Sequence, residues 1–516
     1  VEGLLDAATL DSYQIWERRV GWRRLVGNMA TLDRMLQRLC LDVQDIAKHN
    51  DVELVSLLRE AMQEIDTRLS DGERILEFEQ PREKNKTVEM PNTIEPSGSD
   101  THFQRAALSV ALHHAQRSLN LSTYLKQELS EIRDQSLPDT QEIRDETPIA
   151  PQAPPLLDPE MWVAVLRLLT VFFVLVLCVF LIPGFPSDSV IIPIGVSVSF
   201  ALVFKQQASL TIVMVLAMFL IAVAGSIHIM VLPALTKFWQ LAILLFATSF
   251  LIEYFTSRPN MMVLRSLSLN LFLVGLQTDN TQQFSFLFFA VMASGLFCVL
   301  CVVELTRYFP ISLRPERRVE IMLKRFFKSA EYVIRHSTSY ADESPSWWQK
   351  ELLKYHMAEI DRIPTKLVPW FHALPRDVKK TEDANHIVAS LESVSSRILD
   401  FVDTRGLAQA ETVAAGGGEA LREWRLSVAD IASELVKDPN ALDPKDLEAR
   451  LERGTRSLEG KVDAVLAGLP SSRLAPTDFD NMYRILGAYR ALAEAVIGFT
   501  HRVKRIDWPR LREEKF

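Results

Sequence analysis

The sequence predicts an all-α fold: a polytopic membrane helix bundle of about six spans, flanked on each side by a cytoplasmic helical region. Three observations predict it. Residues 161–308 are a succession of apolar blocks, and the first of them, Met161–Ile182, carries one charge, Arg167. About 20 predominantly apolar residues suffice for a helix to cross the hydrocarbon core. No block alternates with period 2, and lipid requires every backbone group to be paired internally, so the blocks are helices rather than barrel strands. Finally, the turns between blocks differ systematically in positive charge, as cytoplasmic and outer turns do.

Taken in order, Asp11–Asn50 has helical periodicity, with Trp16, Val20, Leu25, Leu32, Leu36 and Leu39 spaced among arginines and acids. Asp51–Phe78 reads as a second helix with Asp51 at its N-cap. Gln80–Asp100 is a linker by composition. Phe103–Ile132 is a third helix, and the proline-rich Ser136–Pro159 is an extended tether. The predicted domains are therefore 1–160, 161–308 and 309–516.

The six apolar blocks are Met161–Ile182, Val190–Phe204, Leu210–His228, Phe238–Phe255, Met261–Leu276 and Phe284–Val303. Pro183–Asp188 and Thr278–Gln283 carry no Lys or Arg, whereas Lys205, Arg258 and the run Arg307, Arg314, Arg317, Arg318 mark the other side. Lys237 is the exception to the alternation. Both soluble flanks are thus expected inside. Beyond the block, Pro315–Arg335 reads as a helix leaving the bilayer, with Arg317, Arg318, Lys324, Arg325 and Lys328 suited to an anionic leaflet. Trp347, Trp348 and Trp370 fall in a less regular stretch. Val378–Val402, Glu419–Val436, Asp446–Leu466 and Asp478–Val503 read as helices, with Gly416–Gly418 as a flexible break. The chain opens on Val1 and reads as a fragment whose native start lies upstream.

Composition excludes several function classes. The 516 residues carry a net charge of -8, and acids interleave with the arginines of the long helices, so a nucleic-acid partner is not expected. The four cysteines do not suggest a disulfide framework; Cys298 and Cys301 read as two lipid- or core-facing thiols in an apolar helix. Gly416-Gly417-Gly418 lacks the Lys-Ser/Thr of a phosphate loop, and there is no Gly-x-Ser-x-Gly elbow or His-Glu-x-x-His. His113-His114 reads as a surface pair rather than a zinc site. Neither a catalytic residue nor a metal or cofactor is expected.

The polar groups inside the apolar block are the informative ones, because a charge there costs on the order of 3 kcal/mol on insertion scales. Arg167, near the cytoplasmic end of the first span, reads as a snorkelling side chain in preference to a substrate ligand. Lys205 and Gln206 form a basic, amide-bearing lip, and Arg265 and Asn270 sit on the least lipid-like span. These four are the candidates for binding an anionic substrate. Glu253 and His228 are the candidates for proton coupling. Glu304 and Arg307 read as an ion pair, and Gly195 with Ser199 as a close-packing pair.

Three stretches carry a resemblance: the membrane block with Phe204–Leu220 (FKQQASLTIVMVLAMFL) and Glu304–Arg318 (ELTRYFPISLRPERR), the opening Leu4–Leu36, and the end Tyr483–Phe516. In these the chain resembles the fusaric acid resistance / aromatic acid exporter family of bacterial inner-membrane proteins, and covers the second part of that family's usual layout of two membrane halves. The resemblance implies efflux of aromatic carboxylic acids driven by the proton gradient, in some members with a periplasmic adaptor protein. A homo-oligomer is a further partner expectation, beside membrane lipid. The competing readings are a passive anion channel, of the kind found in plant malate channels of similar topology, and a non-transporting membrane scaffold.

Overall fold

The computed structural model describes residues 19–47, 52–76, 102–134, 159–183, 185, 192, 195–196, 210–256, 268–270, 272–273, 276, 285–306, 315–336, 346–374, 384–405, 411–438, 442–468, 476–504, 506 and 508. Among these the fold is all-α, with no strand. The helices are α1 (Arg19–Ala47), α2 (Val52–Leu76), α3 (His102–Asp134), α4 (Pro159–Leu181), α5 (Leu210–Ser226), α6 (Phe238–Phe255), α7 (Phe286–Leu305), α8 (Pro315–His336), α9 (Trp347–Ala373), α10 (Ala384–Arg405), α11 (Glu411–Lys437), α12 (Pro444–Gly468) and α13 (Pro476–Val503). They divide into two compact units. One comprises Val1–Pro155, Glu320–Val368 and Pro375–Phe516; the other comprises Leu156–Val319 and Pro369–Leu374.

The first unit is built as a soluble helical protein is. Leu39 and Ile46 of α1, Leu58, Ala61 and Ile65 of α2, and Ala111, Leu112, Ala115 and Leu119 of α3 form one buried cluster. Their three- and four-residue spacing is the apolar stripe of an amphipathic helix. A second cluster joins Leu25 and Leu32 of α1 to Leu125 of α3. α3 also packs along α13. Gly487 makes that approach possible: a Cβ there would stand 2.6 Å from Val110 Cγ2 and 2.8 Å from the Ala106 carbonyl oxygen. Around α13, Tyr489 packs on Phe401 of α10 and Trp424 of α11, with ring centroids 4.9 and 4.5 Å apart, and Phe499 packs on Phe327 of α8.

Two sequence expectations are corrected here. Gly416–Gly418 does not break the chain; it lies within α11. Each glycine costs about 1 kcal/mol in a helix interior, but once a helix exists on both sides, adding residues avoids a new nucleation. The tryptophan-bearing stretch is likewise one helix, α9, despite Pro364 and Pro369. Ile360, Ile363, Leu367, Trp370 and Phe371 are buried along it, and that packing outweighs the lost backbone bonds.

The second unit has the opposite surface. α6 buries no residue fully, and Phe238, Phe246 and Phe255 are 83%, 73% and 73% exposed. α4 buries only Arg167, Val171 and Leu175, all on one face at four-residue steps. Val171 and Leu175 join Ile221 of α5 and Leu296, Val299, Leu300 and Val303 of α7 in a core. Gly195 fits against this core, where a Cβ would collide with Leu175 and press on Val299. α5 continues into a π turn, Ile227–Val231, and a 3-10 turn, Leu232–Ala234. Two helices among the described residues, α4 and α6, are long and apolar enough to cross a membrane. Shorter apolar stretches lie within the other two, Met218–Ala234 across the end of α5 and its two turns and Phe289–Leu305 within α7. The second and fifth predicted blocks lie largely outside the described residues, although Ile192, Gly195, Val196, Ser268–Asn270, Phe272, Leu273 and Leu276 are helical.

Candidate functional site

The expected anion path falls mostly beyond what the structure describes: Lys205, Gln206 and Arg265 lie outside the described residues. Asn270 is helical and exposed. Glu253 is half-buried on the last full turn of α6. His228 is buried in the π turn, 1% exposed, and its Nδ1 donates to the Leu276 carbonyl over 3.0 Å. That bond joins the end of the third apolar block to the fifth, beside the cluster of Ala224, Leu232, Phe272 and Leu276. A π turn at a polar residue is a recurrent feature of functional helices. The expected pairing of Glu304 with Arg307 also falls on an undescribed residue.

The structure does gather a polar group that periodicity alone had assigned otherwise. Arg167 is not a snorkelling side chain: it is 7% exposed and shares the inward stripe of α4 with Val171 and Leu175. It lies about 12 Å along the helix from Pro159 at 1.5 Å per residue. Arg318, expected to face headgroups, is 5% exposed on the first turn of α8. Its guanidinium carbon lies 6.0 Å from the centroid of the Trp370 ring, itself 4% exposed. This is a cation–π arrangement within reach of the ring quadrupole. All three side chains belong to the second unit. The sequence signal was present but ambiguous: a lone arginine in an apolar span and an arginine on a helix with four other basic residues nearby each have a bland surface explanation.

The first unit holds a second buried polar group, and it corrects the reading of His113-His114. His114 is 2% exposed and sits between two carboxylates, Nδ1 2.6 Å from Asp42 Oδ2 and Nε2 3.0 Å from Asp400 Oδ1. Arg397 Nη1 donates to Asp42 Oδ1 over 2.6 Å, and Arg38 Nη1 lies 3.5 Å from Asp400 and 3.6 Å from Asp403. Both imidazole nitrogens face acceptors, so the ring carries two protons. Burial alone would lower its pKa, but the charges of Asp400 and Asp42 outweigh burial and raise it to about 9. His113 is the reverse. Burial, then the Arg484 guanidinium that donates to its Nε2 over 2.9 Å, lowers its pKa to about 3. This is an ion cluster of three cations and three anions rather than a metal site. Among the described residues, no group of three metal-ligating side chains gathers.

A family model described as the fusaric acid resistance protein family matches residues 1–357. No curated protein and no solved structure matches the chain. The matched region runs from the first helices of the chain through the apolar unit and into α9, and covers more than half of the sequence, so the chain belongs to the fusaric acid resistance protein family.

Proposed function

We propose that this chain exports small organic anions, aromatic carboxylic acids in particular, across the bacterial inner membrane and draws on the proton gradient to do so. Family membership carries the reading. The outward apolar surfaces of α4 and α6 support a lipid surround. In the full layout proposed, about six spans cross the membrane, both helical flanks are cytoplasmic, and Lys205, Gln206, Arg265 and Asn270 line the anion path. Glu253 or His228 carries the proton. Desolvation is the main barrier for a carboxylate, and positive charge along the path lowers it. A periplasmic adaptor and self-association belong to the same reading.

Passive conduction is the second reading. The test is efflux of labelled benzoate from cells lacking other exporters, with and without a protonophore. Export predicts that the protonophore abolishes efflux and that Arg265→Gln reduces it at least tenfold at equal membrane abundance. Efflux that follows the anion gradient alone would replace the exporter with the channel.

A further inference from the structure

His228 is a polar side chain that packing does not call for. Its ring is 1% exposed and stands beside the apolar cluster of Ala224, Leu232, Phe272 and Leu276, where a leucine would bury no polar atom. What the imidazole supplies is a hydrogen bond across the unit. Nδ1 lies 3.0 Å from the carbonyl oxygen of Leu276, 48 residues away and itself buried. A carbonyl oxygen only accepts, so Nδ1 carries the hydrogen. Leu276 is the last residue of the fifth apolar block as the sequence bounds it, and the last four carbonyls of a helix have no intrahelical donor. In a hydrocarbon surround water does not supply one, so a side-chain donor counts for most there.

The backbone around His228 is shaped for this contact. α5 passes Gly225 pressed against the Phe289 ring of α7, where a Cβ would collide with the ring. Two residues later the α register gives way to the π turn, and the Leu232 N–H donates to the Ile227 carbonyl. Each extra residue in a turn shifts the following side chains by about 100° around the axis, since an α-helix has 3.6 residues per turn. The register therefore changes at the residue that bonds across the unit. The bond joins the ends of the third and fifth blocks, which fits blocks that run in the same direction.

We propose that His228 is a positioning residue. Its Nδ1–H ties the end of the third apolar block to the end of the fifth, and so holds the fifth block, which carries Arg265 and Asn270, in the register that the anion path needs. What the tie serves rests on the anion-export reading; the tie itself rests on the bond and the π turn. It also names an atom for that reading: with the hydrogen already on Nδ1, a proton taken up by this ring goes to Nε2.

The experiment uses the full-length protein in nanodiscs. Histidine is labelled with 15N in the ring, and the pair of signals missing from His228→Asn belongs to His228. The expected result is a protonated, hydrogen-bonded Nδ1, whether or not Nε2 also carries a proton. Binding of labelled benzoate then tests positioning. An asparagine amide places its N–H near the position of Nδ1, a glutamine amide places it near Nε2, and phenylalanine fills the space without a donor. Benzoate affinity should fall about tenfold in His228→Gln and in His228→Phe, the expected cost of a buried carbonyl left without its donor, and His228→Asn should stay within about threefold of wild type. Helical circular dichroism of each variant checks that it is folded, and the nitrogen signals of the wild type need no variant to fold except for their assignment.

A bare Nδ1 in the wild type overturns the tie. Benzoate affinity in His228→Gln or His228→Phe equal to that of His228→Asn overturns the positioning role, because the place of the donor would then not matter. His228→Asn as weak as the other two overturns it as well, since the ring and not the tie would be what binding needs. Efflux of benzoate from cells, measured in parallel, separates the two layers of inference. No binding or efflux of benzoate by the wild type removes the anion-export reading and the positioning role with it, while the nitrogen signals still decide the tie.

Discussion

The two units place their buried charges in different settings. In the first, Arg38, Arg397 and His114 meet Asp42, Asp400 and Asp403, charge for charge, across α1, α3 and α10. In the second, Arg167 is turned onto the inward stripe of α4, and Arg318 is buried with its guanidinium carbon 6.0 Å from the centroid of the Trp370 ring. Their surfaces differ in the same sense. Phe326, Phe327 and Phe499 are sealed inside the first unit, whereas Phe180, Phe238 and Phe246 of the second are 81%, 83% and 73% exposed. The comparison teaches that the first unit is finished in water: its apolar groups are inside and its charges are neutralised in place. The second unit instead leaves large apolar groups on its outside, the surface that a lipid surround would cover on the proposed reading.

The sharpest way to break this comparison is to unbalance the neutral cluster. Asp400→Ala leaves His114 and Arg38 short of a buried anion, and removal of one partner from such a network typically costs about 3–5 kcal/mol. Thermal unfolding of the purified protein followed by helical circular dichroism should show that loss. A change within about 0.5 kcal/mol would mean that the cluster is not closed to water.

Next in size is a pH effect. The pKa of His114 is raised to about 9 from its ordinary 6.5 by Asp400 and Asp42 against the opposing effect of burial. A raised pKa stabilises the fold fully below the unfolded value, and that contribution is lost as pH climbs through the folded one. At 1.36 kcal/mol per unit, the loss between pH 6.5 and alkaline pH beyond 9 is roughly 3 kcal/mol. His114→Gln should remove this slope, so the difference between wild-type and variant denaturation profiles isolates it from lysine and tyrosine titration. At the acid end the sign reverses. His114 and Arg38 hold the Asp400 carboxyl below its ordinary range against burial, so its contribution is present at neutral pH and fades as pH falls.

The smallest effect is expected on the other side of the comparison. Phe246→Ala truncates a ring that is 73% exposed on α6, and in detergent its stability should stay within about 0.5 kcal/mol of wild type. The same substitution at a buried phenylalanine of the first unit would be expected to cost about 3–5 kcal/mol. If Phe246→Ala proved equally severe, the exposed face of α6 would be a packed interface with a second copy rather than a lipid surface.

Much of the fold was legible before any coordinates. α6 has the bounds of its apolar block, and α4 and α7 lie within about two residues of theirs, because long apolar runs with helical character admit one solution in lipid. α1, α2, α3 and α13 follow their apolar periodicity for the same local reason. The glycine run in α11 and the prolines in α9 misled, since local propensity yields to the packing of the rest of a helix. The polar sites were much less legible. His228 was legible as a polar group in an apolar block, but the carbonyl it bonds, that of Leu276, is 48 residues away.

What the sequence determined by itself, then, is the all-α class, the apolar block between two amphipathic flanks, and membership of the fusaric acid resistance protein family. These depend on short-range periodicity and on composition, which each segment carries alone. Only the tertiary structure decided that His114 is a buried cation rather than half of a surface pair. Its anions come from residues 72 and 286 positions distant. The tertiary structure likewise set Arg318 over Trp370, 52 residues on, and turned Arg167 inward to the same unit. The reason is physical. Whether a charge is a solvated surface group or a buried functional one depends on its local dielectric and its partners, and both are supplied by segments far away in the chain.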